Sequence, residues 1–414
     1  MEAPSFALIP SGYNTSTALV YSVIPESGVG DLTLDRSNNT ATRINKDGLI
    51  ESVLANVPRL NYEVNNGVVD SCPHLLLEMN SQNLITYSED FSQYSKTNIT
   101  VDDNNSTSPM GKTNASKLTD NTVNGNHRIF LSHTTSAASH TFSVFLKKGT
   151  MSTAFIRFLS GTDIAGANVD LNAGTISATA GTAKIEAFPN NWYRCSITGT
   201  AVSGTSFVYV YMKQLSGYAG TSQDMFVFGA QVEAESYATS YIPTPGSTQS
   251  RASESCTGAG DVNTFNSVEG ILYVEMKRDI ATDTGFRRVN INDGSADNTV
   301  RLGYSTVTNE IKGVVTIHPS TSISLVFTGL SVTEFRKMAL LYKANRIELW
   351  VDGSKRAENT TTSVTFPVNT LNDLSFQQSN GSDKLRAKVK DVRYYDTDGM
   401  TPEEITNLLT QLTQ

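Results

Sequence analysis

The feature that most constrains the fold is a period of two in the hydrophobicity of many short segments. In Ser206–Met212, valines and a methionine at the even positions alternate with a phenylalanine and two tyrosines at the odd positions. The same period places Ala154, Ile156 and Phe158 on one face of Thr153–Leu159. Because alternate side chains of a strand point to opposite faces of a sheet, both segments predict strands, the first with one aliphatic and one aromatic face.

Length and composition extend this prediction to the whole chain. The 414 residues are enough for two or three domains, and charged residues make up only 17% of them. The polar remainder is dominated by Ser, Thr, Asn and Gly, which favours strands and turns over exposed helices. Further strands are predicted at residues 140–147, 167–171, 192–197, 225–232, 270–276, 287–291, 299–303, 311–317, 335–343, 346–351 and 388–395. We therefore expect an all-β protein built from tandem β-sandwiches.

Residues 1–82 predict a small β-rich N-terminal module. Two apolar runs, 6–10 and 18–24, are bounded by Pro and Gly and read as strands or extended arms. From residue 36 onward, short apolar pieces such as Leu75–Leu77 alternate with turn-formers such as Asp47–Gly48, which predicts short strands joined by tight turns. We expect this module to lie outside the downstream domains, so that these would fold without residues 1–80.

Five short motifs stand in a fixed order between residues 39 and 92. They are Asn39–Arg43 (NTATR), Asn45–Glu51 (NKDGLIE), Asn56–Tyr62 (NVPRLNY), Cys72–Glu78 (CPHLLLE) and Asn83–Ser92 (NLITYSEDFS). Together they resemble a module found in tail-fibre and virion-fibre proteins of tailed bacteriophages. The resemblance implies a virion structural protein whose N-terminal module attaches to capsid or tail proteins, and it leaves head or tail location open.

Two further resemblances concern the downstream domains. Residues 83–245, through Trp192–Arg194 (WYR) and the ending Gly229–Thr244 (GAQVE to SYIPT), resemble jelly rolls of the carbohydrate-binding-module type. Residues 246–414, through Met338–Arg356 and Ala387–Leu408, resemble a laminin-G-like, concanavalin-A-like sandwich. These resemblances imply two sandwiches in tandem.

The end of the chain predicts a short C-terminal helix from its residues alone. Thr401 can cap the helix, with Pro402 at the first position and Glu404 completing a capping box. The apolar residues that follow have helical spacing and form one stripe. These are Ile405, Leu408, Leu409 and Leu412. The helix should therefore pack against the last sandwich.

Charge and cysteine content exclude several classes of partner. A net charge of -8 and an isoelectric point near 5.2 provide no basic field for phosphates, so we expect no nucleic-acid partner. No signal peptide and no run of about 18 apolar residues is present, so we expect that the protein does not insert into a membrane. We expect it to assemble in the bacterial host cytoplasm and to be located finally in the virion. The cysteines Cys72, Cys195 and Cys256 are far apart, which indicates free, buried thiols.

The residue types that bind sugars indicate candidate glycan contacts in the jelly roll. Aromatic faces stack on the apolar side of pyranose rings while polar groups bind the hydroxyls. The candidates are Tyr209, Tyr211 and Tyr218, with Trp192 and Tyr193 behind them. The alternative is that these rings pack within a core or between protomers.

Calcium binding and catalysis are the other chemistries to weigh. Asp293, Asp297 and Asn298 supply oxygen ligands near one turn, so Ca²⁺ is a candidate there, although an Asp-Gly hairpin turn explains the same residues. No other cofactor is expected. A sandwich-type glycosidase needs two flanking carboxylates, usually on one strand as Glu-x-Asp-x-x-Glu, and no such run occurs. We expect a protein that is not an enzyme.

The sequence thus supports a head or tail fibre that projects from the particle and binds host-surface polysaccharide. We expect a homotrimer, as is common for fibres, with contacts between domain faces because long heptads are missing. The alternative is a capsid or tail decoration protein without a specific receptor. A glycan-degrading enzyme is a third, weaker hypothesis.

Overall fold

The computed structural model describes residues 3–10, 31–281, 285, 287–318, 321–361, 365–378 and 381–414. Within these ranges the regular structure is strand, apart from two short 3-10 turns and one α-helix, which confirms the all-β prediction. The predicted strand at 18–24 lies outside the described residues. In the described part of the chain, no helix has the length and apolar character needed to cross a membrane.

The first 83 residues contain short strands that serve several sheets. They are β1 (Phe6–Leu8), β2 (Thr33–Asp35), β3 (Ala41–Ile44), β4 (Ile50–Val53), β5 (Leu60–Asn61), β6 (Val64–Asn65), β7 (Val68–Val69), β8 (His74–Leu77) and β9 (Ser81–Asn83). Among the described residues of this segment, β3 pairs with β4 and β6 pairs with β7 in two hairpins that join no larger sheet.

The middle of the chain forms a sandwich of two six-stranded antiparallel sheets. Its strands are β10 (Ser95–Thr97), β11 (Ile99–Thr107), β12 (Thr113–Asp120), β13 (Asn124–Gly125), β14 (Arg128–Thr135), β15 (Ser139–Lys148), β16 (Thr153–Ser160), β17 (Thr162–Asp170), β18 (Thr175–Ala180), β19 (Thr182–Phe188), β20 (Trp192–Thr200), β21 (Gly204–Met212), β22 (Tyr218–Ala219) and β23 (Asp224–Glu233). The first sheet has the order β10-β14-β21-β16-β17-β18, and the second has the order β11-β12-β23-β15-β20-β19.

The interior of this sandwich confirms the period-two prediction. Ala154, Ile156 and Phe158 of β16 face the core between the sheets, as do the valines of β21. The odd positions of β21 therefore face away from the core, on the outer side of the first sheet. One side of this sheet is aliphatic and the other aromatic, as Ser206–Met212 predicts.

The C-terminal sandwich pairs an eight-stranded with a five-stranded antiparallel sheet. Its strands and helix are β24 (Gln249–Arg251), β25 (Ser255–Thr257), β26 (Gly270–Lys277), β27 (Arg287–Asn292), β28 (Thr299–Tyr304), β29 (Glu310–Ile317), β30 (Thr321–Thr328), β31 (Arg336–Lys343), β32 (Arg346–Val351), β33 (Ser354–Asn359), β34 (Asp373–Ser375), β35 (Ala387–Tyr395) and α1 (Pro402–Thr413). The orders are β33-β32-β31-β26-β35-β8-β5, with β1 also on β35, and β30-β29-β28-β27-β34. A single apolar core lies between the two sheets, as expected from the laminin-G-like resemblance.

Helix α1 covers the outer face of the eight-stranded sheet. Thr401 accepts a hydrogen bond from the backbone N–H of Glu404, and the Glu404 side chain accepts one from Thr401, so the predicted capping box is confirmed. The predicted apolar stripe is buried against this sheet together with Trp350. Its residues are Ile405, Leu408, Leu409 and Leu412.

The N-terminal segment is part of the C-terminal sandwich rather than a separate body. Strand β1 pairs with β35 through Phe6 opposite Tyr394, and β8 pairs with the same strand through Leu75 opposite Val389. Its remaining strands β2 and β9 pair with β25 and β24, in the stretch that follows the middle sandwich. Strands β1, β5 and β8 therefore complete a downstream sheet and do not lie outside the downstream domains, and folding of those domains without residues 1–80 stays a prediction.

The cysteines are free, as predicted, but they are not all buried. Cys195 and Cys256 lie in the cores, where burial raises the pKa of both thiols. Cys72 is exposed in the loop before β8.

Candidate functional site

The structure does not bring the five candidate glycan-binding residues together. Trp192 begins β20 in the second sheet, is fully buried, and donates a hydrogen bond from Nε1 to the Thr107 carbonyl at 3.1 Å. Tyr193 points to the opposite side of the same strand and packs against the core between the sheets. Neither residue lies behind Tyr209 and Tyr211, because β20 belongs to the second sheet and the two tyrosines lie on β21 of the first sheet.

Tyr218 lies in β22, a short strand beyond the end of β21 that pairs with β13. Its hydroxyl donates to Asp120 at 2.8 Å, and its ring lies 4.4 Å from that of His127 and 4.9 Å from the Lys213 Nζ. Burial and the Asp120 carboxylate raise the pKa of this tyrosine. These contacts fix the loop, so the geometry gives Tyr218 a structural role.

Tyr209 and Tyr211 belong to an aromatic surface on the outer side of the first sheet. We call it the outer aromatic face; it consists of Phe130, Phe155, Leu159, Phe207, Tyr209 and Tyr211. The strand register sets these residues side by side, with Phe130 opposite Tyr209 and Tyr211 opposite Phe155. The rings of Phe130 and Tyr209 stack at 5.3 Å, and those of Tyr209 and Tyr211 at 5.7 Å.

The members of this face differ in exposure. Tyr211 is fully buried and Tyr209 is 8% exposed, whereas Phe130, Leu159 and Phe207 are only partly buried. A ligand lying on the face would therefore meet Phe130, Leu159 and Phe207 first. The two tyrosines, which the sequence singled out, support these three residues from within the cluster.

Two arginines cover the outer aromatic face. The Arg128 guanidinium lies 5.1 Å from the centroid of the Tyr209 ring and donates to the Tyr211 hydroxyl at 2.7 Å. Arg157 lies 5.3 Å from the Tyr209 centroid and is held by Asp163, whose Oδ1 accepts from Nε at 2.5 Å. The Nε of Arg128 is buried and has no hydrogen-bond partner among the described residues. Sequence reasoning missed both arginines. The period of two nevertheless places Arg128 with Phe130 on one face of β14, and Arg157 with Phe155 on one face of β16.

The candidate calcium ligands lie together in one turn, but their side-chain oxygens already have partners within the protein. Both Asp293 carboxylate oxygens accept hydrogen bonds, one from Ser295 and the other from the Asn298 Nδ2 at 2.7 Å. Asp297 is turned toward His318, with 3.6 Å between its Oδ2 and the ring Nδ1. Within the described ranges, no cluster of three or more His, Cys, Asp or Glu residues has the spacing of a metal site. The turn geometry accounts for these residues, and calcium binding stays a prediction.

Sequence reasoning also missed a buried ion cluster that joins the N-terminal segment to the middle and C-terminal parts. We call it the interdomain ion cluster; its members are Arg36, Arg59, Glu78, Arg251 and Glu254. Each side chain is at most 3% exposed. Two of its residues lie in the motifs of the phage-fibre resemblance, since Arg59 is in NVPRLNY and Glu78 ends CPHLLLE.

The contacts of the interdomain ion cluster explain why charges are tolerated there. Arg59 donates from Nε to Glu254 at 2.6 Å and from Nη1 to Glu78 at 2.6 Å. Ser240 of the middle sandwich donates its backbone N–H and its hydroxyl to Glu78 at 2.9 and 2.6 Å. Burial alone would raise the pKa of Glu78, but Arg251 and Arg59 outweigh it and hold that pKa well below its usual range. The motif residues are thus structural contacts between domains.

Comparisons with known proteins add no family assignment. No protein-family model matches the chain, and no curated protein matches it. Among solved structures, similarity is found to a heptameric SAP-like pentraxin from Limulus polyphemus, with 6% identity over 36% of this chain and 71% of that chain and a TM-score of 0.28. Domain 4 of AbnA, a GH43 extracellular arabinanase from Geobacillus stearothermophilus in complex with arabinotriose, is also similar. It has 10% identity over 44% of this chain and 83% of that chain, with a TM-score of 0.30. Mouse laminin α1 domains LG4-5 have 14% identity over 65% of this chain and 84% of that chain, with a TM-score of 0.22. All three scores are below 0.5, so no functional conclusion is drawn from them.

Proposed function

We propose that this protein binds glycans through the outer aromatic face of its middle sandwich, as a structural component of a bacteriophage virion. The observation that carries the proposal is the combination of partly buried rings with two arginines on one sheet face. The apolar side of a pyranose can lie on Phe130 and Phe207. The guanidinium groups of Arg128 and Arg157 can donate to its hydroxyls.

Physical chemistry favours this arrangement for a sugar over a purely apolar ligand. Aromatic surfaces gain from contact with apolar C–H surface, and small-ligand sites combine such surface with a few placed polar groups. The guanidinium groups of Arg128 and Arg157 lie over the Tyr209 ring and supply hydrogen-bond donors beside the aromatic surface. A glycan supplies both kinds of contact.

The virion role rests on the five N-terminal motifs and their resemblance to phage fibre modules. In this proposal the protein assembles in the bacterial host cytoplasm, is carried on the particle at head or tail, and is a non-enzymatic homotrimer that contacts other virion proteins. Mass spectrometry of purified particles and antibody labelling in micrographs test it. Absence of the protein from particles of the phage that encodes it would overturn the virion role without touching glycan binding.

Glycan binding is tested by screening the purified full-length protein on a glycan array that includes bacterial surface polysaccharides. In Phe207→Ala we expect at least a tenfold loss of affinity for the bound glycan, because a stacking surface worth about 1.4 kcal/mol corresponds to that factor. Phe327→Ala is the matched control, since Phe327 in the C-terminal sandwich is also partly buried under an arginine, with 4.7 Å between the Arg356 guanidinium and its ring. Equal binding by the two variants would contradict the proposal.

A second candidate function is favoured by the burial of Tyr209 and Tyr211. In a decoration protein, the outer aromatic face would pack against a neighbouring copy and bind no receptor. Analytical ultracentrifugation separates the two, because Phe207→Ala would then dissociate the oligomer. A glycan-binding face predicts an unchanged oligomeric mass in that variant.

A further inference from the structure

A cavity of about 320 Å³ lies beside the second sheet of the middle sandwich, away from the outer aromatic face. One side of it is the outer surface of β19 and β20, where the register sets Lys184 opposite Ser196 and Glu186 opposite Arg194. The other side combines β3, the segment 236–241 and Lys388 of the C-terminal sandwich. Three parts of the chain therefore enclose one space, which is a common setting for small-ligand sites.

The charges lining the cavity balance with one exception. Three of its cations have carboxylate partners: Arg43 binds Glu51 at 2.6 Å, Lys184 binds Glu186 at 2.8 Å, and Lys388 binds Asp279 at 2.9 Å. The buried Glu78 belongs to the interdomain ion cluster. Among the described residues, no carboxylate forms a salt bridge with the fourth cation, Arg194.

Arg194 is held in place without being satisfied. It is 7% exposed, and its guanidinium lies 5.5 Å from the centroid of the Phe145 ring. Nη1 donates to the Thr239 carbonyl at 2.7 Å and Nη2 to the Ser143 hydroxyl at 3.0 Å, while the buried Nε has no partner among the described residues. Glu186 lies opposite Arg194 and its charge acts on the guanidinium, but the two form no direct salt bridge, so the remaining N–H groups of Nη1 and Nη2 can donate to an anion in the cavity. An arginine fixed by two other contacts is also pre-organised to bind a carboxylate.

Apart from the amide of Asn61, the remaining polar side chains of the lining are hydroxyl groups. Thr182, Ser196 and Thr198 lie on the strand side, and Tyr237 lies on the opposite side. Hydroxyls donate and accept, so they suit a ligand that is itself rich in hydroxyl groups. The volume is at the lower end of the roughly 300 to 1,000 Å³ of small-molecule sites, which limits the ligand to a small molecule or a chain end.

We propose that this cavity binds a small hydroxylated carboxylate of the uronic-acid class, with its carboxylate on Arg194. The ring hydroxyls lie against Ser196, Thr198 and Lys184. The site is separate from the outer aromatic face, which belongs to the other sheet, so it does not depend on the proposed function. It would give the protein a pocket for an acidic sugar in addition to an extended surface.

Isothermal titration calorimetry on the full-length protein tests the proposal with three probes. D-glucuronate supplies the carboxylate and the hydroxyls, D-glucose the hydroxyls alone, and inorganic phosphate the anion alone. We expect saturable binding of glucuronate, with glucose and phosphate at least tenfold weaker. Absence of glucuronate binding, or glucose binding of equal strength, would overturn the assignment, as would phosphate binding of equal strength.

Two variants locate the binding. Arg194→Met should weaken glucuronate binding at least tenfold while leaving glucose unchanged, because it removes the charge and keeps much of the apolar stem. Since Arg194 also holds Thr239, a second variant leaves the buried contacts intact. Thr182→Trp fills the cavity from an exposed position of β19 and should abolish binding, whereas Thr175→Trp, exposed on β18 of the other sheet, should not.

The outcome is independent of glycan binding at the other face. Phe207→Ala should leave glucuronate affinity unchanged. Loss of glucuronate binding in Phe207→Ala but not in Thr182→Trp would place the acidic sugar on the outer aromatic face and overturn the cavity assignment.

Discussion

The aromatic outer faces of two sheets in this protein are covered in different ways. On the eight-stranded sheet, the outer residues Tyr273, Trp350 and Tyr395 are packed under the leucines of α1. On the first six-stranded sheet, the outer aromatic face is covered by the side chains of Arg128 and Arg157, and Phe130 and Phe207 stay partly exposed. A docked helix covers the first face, whereas only two arginine side chains cover the second.

The helix and the arginines differ in how much free energy their contacts with the face contribute. Burying a leucine fully contributes about 1.5–3 kcal/mol, so the four apolar residues of α1 stabilise its docked position strongly. An arginine over a ring contributes roughly 0.5–1 kcal/mol at an exposed site and keeps its charged head hydrated. The helix-covered face is therefore held closed more strongly than the arginine-covered face.

The largest expected effect comes from uncovering the helix-covered face. Leu408→Asp places a charge in the apolar contact between α1 and the sheet, and we expect a loss of about 4 kcal/mol or more in the free energy of unfolding of the C-terminal sandwich. Asn407 is exposed at the preceding position of the same helix, and Asn407→Asp should change the free energy of unfolding by less than about 1 kcal/mol. Thermal unfolding measures both, and an unchanged transition in Leu408→Asp would show that α1 does not hold this face closed.

A third outer face, that of the second six-stranded sheet, sharpens the comparison. It is covered by the β3–β4 hairpin, whose Ile50 packs with Phe145, Phe188 and Trp192. Arg59→Met removes the central cation of the interdomain ion cluster and leaves Glu78 and Glu254 short of a partner. We expect a loss of about 3–5 kcal/mol, as for other broken buried ion pairs.

The control for this prediction is a surface ion pair of the same hairpin. Arg43→Met breaks the pair with Glu51, in which both side chains are at least 25% exposed, and should cost no more than about 1 kcal/mol. Denaturant unfolding followed by tryptophan fluorescence compares the two variants, since Trp192 lies beneath the hairpin. Equal midpoints would mean that the covering of this face does not depend on the interdomain ion cluster.

Local patterns predicted the parts of this structure that local residues decide. The capping box at Thr401, the stripe of Leu408 and Leu409, and the two faces of β21 follow from spacing alone, and all are present. The pairing of Phe6 with Tyr394 was not predictable in this way, because no local pattern names a partner nearly the whole chain away. The same limit explains why the prediction that Trp192 lies behind Tyr209 and Tyr211 was wrong, because long-range strand pairing decides to which sheet Trp192 belongs.

The site was predictable to the same extent. Tyr209 and Tyr211 follow from the alternation in β21, but their burial follows from neighbours on β14 and β16. Arg59 and Glu78 stood in recognisable motifs, yet only the fold brings them to Glu254, 195 residues beyond Arg59. Residue type and period give the face of a strand, and tertiary pairing decides what covers it.

The smallest expected effect is that of Phe207→Ala, and it is compared with the truncation of an aromatic residue on the helix-covered face. Trp350→Ala removes a ring that is 7% exposed under α1, and we expect a loss of about 3–5 kcal/mol in the free energy of unfolding. Phe207→Ala removes a partly buried ring from the outer aromatic face and should cost less than about 1.5 kcal/mol, because part of that ring already meets water. Calorimetric unfolding of the two variants measures the difference. If Phe207→Ala were as destabilising as Trp350→Ala, the outer aromatic face would be a core element of the sandwich. That result would contradict the proposal that this face and its arginines bind a glycan.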